Sequence, residues 1–152
     1  MISVGIDVSK EKSMVCIMRP YGEVIASPYE VTHTESDIAV LIKQILSLEG
    51  ETKVIMEATG AYHLPVLTSL KQAGIFVSVI NPLVMKRYAS TVLRKGKTDK
   101  LDSVRIANYG LDNWFHLTNY QSSEDTYEEL KLIAGLIGQL LIVFPIMLKG
   151  GL

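Results

Sequence analysis

The sequence predicts an α/β protein in which one mixed β-sheet carries helices on its faces. Three observations predict this class. The chain opens with apolar, β-branched runs and continues with amphipathic stripes at helical spacing. Its 152 residues suffice for one domain with a buried core, since 48% of them are hydrophobic and 20% are charged. Three predicted strands come first and alternating helices and strands follow, an order that favours a mixed sheet.

The first three strands are predicted to form an antiparallel meander. The first covers Ile2–Val8 and holds a lone acid, Asp7, near its end. The second covers residues 13–19, Tyr21-Gly22 turns the chain, and the third covers residues 23–31. Because an isolated acid is costly to bury in an apolar strand, Asp7 is a candidate functional residue.

A helix with a clear start and one apolar stripe is predicted next. Thr34 is its expected N-cap, Asp37 occupies the capping-box position, and Glu49-Gly50 ends it. The apolar residues recur three and four positions apart, as in a helix that packs one face on a core. They are Ile38, Leu41, Ile42, Ile45 and Leu46.

Two strand–helix units complete the predicted order. A strand over residues 53–56 delivers Glu57, and a helix over residues 64–73 leads to a buried strand over residues 75–80 that Asn81-Pro82 ends. Thr98 is the expected N-cap of a last helix, whose first turn carries Asp99 and Asp102 on one face. The order β-β-β-α-β-α-β-α resembles the ribonuclease H-like fold.

Four acids are thus predicted at the edges of elements: Asp7, Glu57, Asp99 and Asp102. Adjacent strand ends can bring the first two together, and a helix packed across the sheet can add the other two. Converging carboxylates repel each other, and Mg²⁺ or Mn²⁺ removes that cost because hard cations prefer oxygen ligands. Two such ions about 3.5–4 Å apart would support phosphoryl transfer. The plainer interpretation of the helical pair is a solvated first turn that favours the helix dipole.

Positive charge is concentrated between residues 86 and 105. This segment contains seven cationic and two acidic residues, which gives it a net charge of +5. Because the whole chain has a net charge of −1, the remaining residues carry −6. Such asymmetry predicts a local site for a polyanion, and the cations would hold a nucleic-acid backbone over the metals. They are Lys86, Arg87, Arg94, Lys95, Lys97, Lys100 and Arg105. His63 has no partner at ligand spacing and is interpreted as a surface or capping residue.

Three segments resemble the DEDD transposases of the insertion sequence one-ten family. They are residues 5–10 (GIDVSK), 56–63 (MEATGAYH) and 97–102 (KTDKLD), and the likeness covers about residues 2–120. The resemblance implies a domain like that of Holliday-junction resolvases (RuvC-like), with Asp7, Glu57, Asp99 and Asp102 as the catalytic, metal-binding tetrad. It also implies a DNA recombinase that works with a structured guide RNA, and we expect a homo-oligomer.

The expected domain division is a catalytic domain at residues 1–120 and a connector with an apolar tail at residues 121–152. Family members also carry a domain with a nucleophilic serine, which no segment here resembles, so we expect a truncated chain that cannot complete recombination alone. The apolar stretch 132–148 is short for a membrane span, which needs about 20 residues, and packing on protein is favoured. A single cysteine, Cys16, fits a reducing cytoplasm.

Two other functions remain open on the sequence. A non-catalytic module for nucleic-acid binding or dimerisation would share every binding residue with the enzyme. Actin-like and sugar-kinase ATPases share the fold, but their phosphate hairpin needs glycine near the turn. Val8, Ser9 and Lys10 occupy those positions here, which disfavours an ATPase.

Overall fold

The computed structural model describes residues 1–91, 99–122, 132 and 134–139, with the side chains of residues 99–101 excepted. The chain forms two compact units, Met1–Tyr120 and Gln121–Leu152. In the second unit, residues 134–139 are helical. Across the described parts of the chain, no helix has the length and apolarity that a bilayer crossing requires. Most of the predicted apolar tail lies outside the described residues.

The first unit is built on one five-stranded sheet. Its strands are β1 (Ile2–Val8), β2 (Lys12–Met18), β3 (Val24–Thr32), β4 (Thr52–Glu57) and β5 (Val77–Ile80). Their order across the sheet is β3-β2-β1-β4-β5. The first three strands are antiparallel neighbours, whereas β4 pairs in parallel with both β1 and β5. The predicted meander and mixed sheet are confirmed.

Four helices accompany the sheet, one more than predicted. They are α1 (Glu35–Leu46), α2 (Leu64–Gln72), α3 (Pro82–Thr91) and α4 (Asp99–Asp112), with short 3₁₀ turns at Pro20–Gly22 and Trp114–His116. The unpredicted helix is α3. The Asn81 side-chain oxygen accepts the N–H of Leu83 at 2.8 Å, and Pro82 opens the helix, a common pairing at helix starts. Asn81-Pro82 therefore starts a helix as well as ending a strand.

One face of the sheet is buried beneath α1 and α2. Val4, Ile6 and Met56 point into this core and meet apolar residues of both helices. The predicted cap of α1 is confirmed, because the Thr34 hydroxyl accepts the N–H of Asp37 at 3.2 Å. The predicted stripe is wrong at Leu46, which is 60% exposed because it lies in the last turn, beyond the edge of the core.

The opposite face of the sheet is covered by α4, and glycine allows the close approach. A Cβ atom on Gly5 would overlap the backbone of Ser103 and Ala107. Two residues back along β1, the Ser3 hydroxyl donates to the carbonyl of Ala107 at 2.6 Å. The helix therefore crosses β1 at backbone contact distance, with its first turns toward the carboxyl end of the strand.

The segment after α4 belongs to the first unit as far as Tyr120. Trp114 is buried, and the Lys53 ammonium donates to its carbonyl while lying over its ring. Farther on, the N–H of Tyr120 donates to the carbonyl of Val77, and the Asn119 side chain accepts the Val77 N–H. Asn119 and Tyr120 therefore lie along the outer edge of β5. Residues 123–129 lie outside the described residues.

Candidate active site

Asp7 and Glu57 lie at the carboxyl ends of two adjacent parallel strands. The register pairs Ile6 of β1 with Met56 of β4, so the next residue of each strand stands beside its neighbour. Both acids share the sheet face that α4 covers, since residues alternate between faces and Gly5 and Ile55 contact that helix. Neighbouring strands are about 4.8 Å apart. The structure therefore places the backbones of these two predicted residues side by side.

The third described acid, Asp102, lies in the first turns of α4. Gly5 faces Ser103 and Ala107, so the part of α4 that precedes Ser103 extends toward the end of β1 where Asp7 is located. Asp102 is partly buried, and its carboxylate accepts from Arg105 at 3.4 Å. Among the described residues, α4 covers Asp99–Asp112. The Asp99 side chain lies outside the described residues, and so does the predicted cap Thr98.

Electrostatics links the strand acids to the helix. Burial raises the pKa of the Glu57 carboxyl, and the negative charge of Asp102 raises it further. The side chain of Glu57 is half-buried at the end of a strand, so removal from water and like charge both oppose its ionised form. Carboxyl groups with such pKa shifts occur at metal sites and also in structural acid pairs.

The donor set at this edge consists of carboxylate oxygens on regular elements. Such donors suit Mg²⁺ or Mn²⁺ better than softer metals, so the residues present fit the expected ions. Within the side chains that the structure describes, no three His, Cys, Asp or Glu residues lie close enough to hold one metal ion. The tetrad and its use of metal therefore remain predictions.

Two of the predicted cations are exposed on α3, and one pairs with an acid. Lys86 and Arg87 point to solvent, while Arg105 is the partner of Asp102. α3 follows β5, whose carboxyl end adjoins that of β4, so these cations flank the same edge of the sheet. Four other predicted contacts lie outside the described residues: Arg94, Lys95, Lys97 and the side chain of Lys100.

A buried histidine in the β4–α2 loop was not predicted as part of the site. His63 is 7% exposed and stands immediately before α2, so the surface interpretation is wrong. It makes no side-chain cap bond to α2, so capping is wrong as well, and its Nδ1 instead accepts the N–H of Thr59 at 3.2 Å. Pro65 in the next turn marks a helix start, and His63 just before it was the available signal in the sequence.

Solved structures with a similar fold include those of a RuvC protein. The RuvC structure of Thermus thermophilus has a TM-score of 0.55 and 14% identity, covering 75% of this chain and 95% of that chain. The T. thermophilus RuvC structure in complex with a Holliday junction substrate has the same score and 12% identity, covering 76% and 96%. The predicted ribonuclease H-like (RuvC-like) fold is thereby confirmed.

Sequence comparisons point to one family. A stretch of 57 residues is 39% identical to the pilin gene-inverting protein of Moraxella lacunata, covering 38% of this chain and 18% of that protein. The chain thus spans under a fifth of the length of this relative. The family model of the DEDD transposases of the insertion sequence one-ten (IS110) group, described as a transposase, matches residues 4–141. The chain belongs to this family of transposases.

Proposed function

We propose that this chain carries the catalytic domain of a DNA transposase and performs metal-dependent phosphoryl transfer on DNA. One observation supports this most strongly. Asp7 and Glu57 end adjacent strands on the face covered by α4, and the charge of Asp102 acts on Glu57. An arrangement that places carboxylates where they oppose one another's ionisation is expected where a divalent cation binds.

The proposed roles divide between acids and cations. Asp7, Glu57 and Asp102 would bind Mg²⁺ or Mn²⁺, with Asp99 completing the set. Such ions, when bound, polarise a phosphoryl oxygen and favour ionisation of the attacking oxygen. The strands orient the first two carboxylates, because their backbones are fixed in the sheet. Arg105 orients Asp102 through their ion pair.

DNA is the proposed substrate, and a structured guide RNA is a proposed second partner. Family membership supports DNA, as does the Holliday junction substrate bound to the structurally similar RuvC. The guide RNA, the homo-oligomer and the cytoplasmic location are proposed from the sequence. Lys86 and Arg87 are exposed beside the acidic edge, where they would contact phosphates and position the strand.

Titration calorimetry with Mn²⁺ tests the metal site. We expect the unsubstituted chain to bind Mn²⁺ and Asp7→Asn to lose most of the binding, because the amide removes one charged ligand. Asp37→Asn changes an exposed acid in the first turn of α1 and is the matched control. Equal binding by Asp7→Asn and the control would contradict the assignment. Cleavage of labelled DNA in the presence of Mn²⁺ should likewise be lost in Asp7→Asn and retained in the control.

Salt-dependent DNA binding tests the cations on α3. Replacing both Lys86 and Arg87 by alanine should weaken binding and reduce the log–log salt slope by about 0.9 for each lost phosphate contact on B-DNA. Lys43→Ala, an exposed cation on α1, should leave the slope unchanged. If the double variant keeps the original slope, these two residues do not contact phosphate.

A non-catalytic DNA-binding module is the competing function. It predicts the same loss of binding for the α3 variants, since the cations serve both roles. The two functions separate on chemistry, because the module would bind DNA without cutting it at any Mn²⁺ concentration. DNA cleavage that Asp7→Asn abolishes would exclude the non-catalytic module.

A further inference from the structure

The loop between β4 and α2 is held by an imidazole ring. The Nδ1 atom of His63 accepts the N–H of Thr59 at 3.2 Å. A ring nitrogen that accepts a backbone N–H carries no hydrogen, so the neutral ring has its hydrogen on Nε2. Burial lowers the pKa of His63, which favours this neutral form. The fold thus fixes one tautomer and one orientation of the ring.

Two consecutive backbone anchors follow Glu57 along the chain. The N–H of Ala58 donates to the carbonyl of Ile80 at 3.0 Å, which extends the pairing of β4 and β5 by one residue. The next N–H, that of Thr59, is the one bound by His63. The Thr59 hydroxyl cannot replace this anchor, because it is buried without a hydrogen-bond partner in the described structure.

Glu57 needs such anchoring because its own charge opposes its position. The carboxyl is half-buried at the end of β4, within electrostatic range of Asp102. Loss of hydration and repulsion between the two carboxylates favour a shift of this strand end toward water and away from Asp102. The end of a strand allows that movement unless the following residues are held. The bonds of Ala58 and Thr59 hold them.

We propose that His63 is a positioning residue for the candidate metal site, because its Nδ1 holds the β4–α2 loop and so keeps Glu57 beside Asp102. This role rests on the proposed function, since it matters only if Glu57 binds metal. His63 acts here through Thr59 and binds neither metal nor DNA. Partners that orient metal ligands typically change metal affinity about 10–100-fold when replaced.

Substitution of His63 by asparagine or by glutamine tests the two ring nitrogens separately. The side-chain oxygen of asparagine reaches the position of Nδ1, whereas the glutamine amide reaches that of Nε2. We expect His63→Asn to keep Mn²⁺ binding in calorimetry, and His63→Gln and His63→Ala to weaken it about 10–100-fold. His116→Asn replaces an exposed histidine in the 3₁₀ turn after α4 and is the matched control.

Mn²⁺ binding that is kept by His63→Asn but not by the other two variants distinguishes a positioning role from a general contribution to stability. Equal Mn²⁺ binding by all three His63 variants would overturn the proposal, and so would rescue by glutamine in place of asparagine. An affinity that falls in step with the melting temperature in every variant, His63→Asn included, would indicate a purely structural histidine and also overturn it. If the unsubstituted chain binds no Mn²⁺, the proposed function fails and this role fails with it.

Nitrogen-15 NMR of the unsubstituted protein tests the same bond without any substitution. We expect the His63 ring to show an unprotonated Nδ1 and a protonated Nε2 at neutral pH. A proton on Nδ1 would exclude the bond to Thr59 and overturn the proposal, even if a variant fails to fold.

Discussion

The two faces of β1 differ in composition and in what they pack against. Every second residue from Ile2 to Val8 is apolar and buried in the core beneath α1 and α2. On the other face, Ser3 and Gly5 lie directly against α4, and Asp7 follows them toward the carboxyl end. One strand of seven residues therefore serves a large apolar core on one side and a close helix contact on the other.

The apolar face of β1 mainly determines the stability of the fold, and the face toward α4 mainly determines the geometry of the candidate site. Buried apolar side chains stabilise a fold in proportion to the area they remove from water, so the face toward α1 and α2 supplies most of the contribution of β1. Small residues bury little area, but they let the backbone of α4 approach. The distance between α4 and β1 then decides how close Asp102 comes to the strand acids.

The largest stability effect is expected on the apolar face. Ile6→Ala should lower the free energy of unfolding by about 2–5 kcal/mol, because it leaves a cavity among fully buried neighbours. Denaturant unfolding measures this loss. Mn²⁺ affinity should remain near that of the unsubstituted chain under conditions where the variant is folded. A large loss of metal affinity would contradict the separation of the two faces.

A smaller stability loss with a larger effect on the site is expected for Gly5→Ala. The added Cβ would overlap backbone atoms of Ser103 and Ala107, and backbone cannot rotate away. Overpacking of this kind costs about 1–3 kcal/mol, and relief requires α4 to move from the sheet. We therefore expect weaker Mn²⁺ binding in calorimetry than for Ile6→Ala.

Gly110→Ala provides the matched control on the same helix. Its added Cβ would meet the side chains of Ile55 and Ser3, which can change rotamer, and it lies near the far end of α4 from the acids. We expect a smaller fall in melting temperature than for Gly5→Ala and little change in Mn²⁺ affinity. Equal losses of affinity in both variants would show that the close approach at Gly5 has no special role.

Much of the fold could be predicted because apolar residues recur with a different spacing in strands than in helices. The alternation in β1 and the Thr34 cap are local patterns, and both are confirmed. The α3 helix was missed because Asn81-Pro82 can end a strand or begin a helix, and only the bond to Leu83 distinguishes these outcomes. The burial of Trp114 was missed because its partner Lys53 lies 61 residues away.

The site could be predicted less completely than the fold. The meeting of Asp7 and Glu57 was expected, since both were predicted at strand ends. The contribution of His63 could not be expected from spacing rules for metal ligands, because it binds a backbone N–H of a neighbouring loop residue. Roles of this kind depend on one hydrogen bond and on burial, which no local sequence pattern specifies.

The smallest change in stability is expected for Glu57→Gln, and in metal-free buffer this substitution should stabilise the fold. The folded-state pKa of Glu57 lies above its ordinary value of 4.5, because of burial and Asp102. The stabilisation from protonated Glu57 is therefore complete below pH 4.5 and is lost as pH rises through the folded-state pKa. Glutamine stays neutral, so the variant should melt at a higher temperature than the unsubstituted chain at pH 7, and the difference should shrink on acidification.

Added Mn²⁺ should reverse that order. The cation compensates the charge of Glu57 and stabilises the folded state by mass action, whereas the glutamine variant loses a ligand and gains less. Melting temperatures with and without Mn²⁺ at pH 7 measure both signs in one experiment, and Glu49→Gln, in an exposed loop, should change neither. If Glu57→Gln melts at a lower temperature than the unsubstituted chain without metal, ionised Glu57 stabilises the fold by itself. That result would contradict the proposed role of Glu57 as a metal ligand.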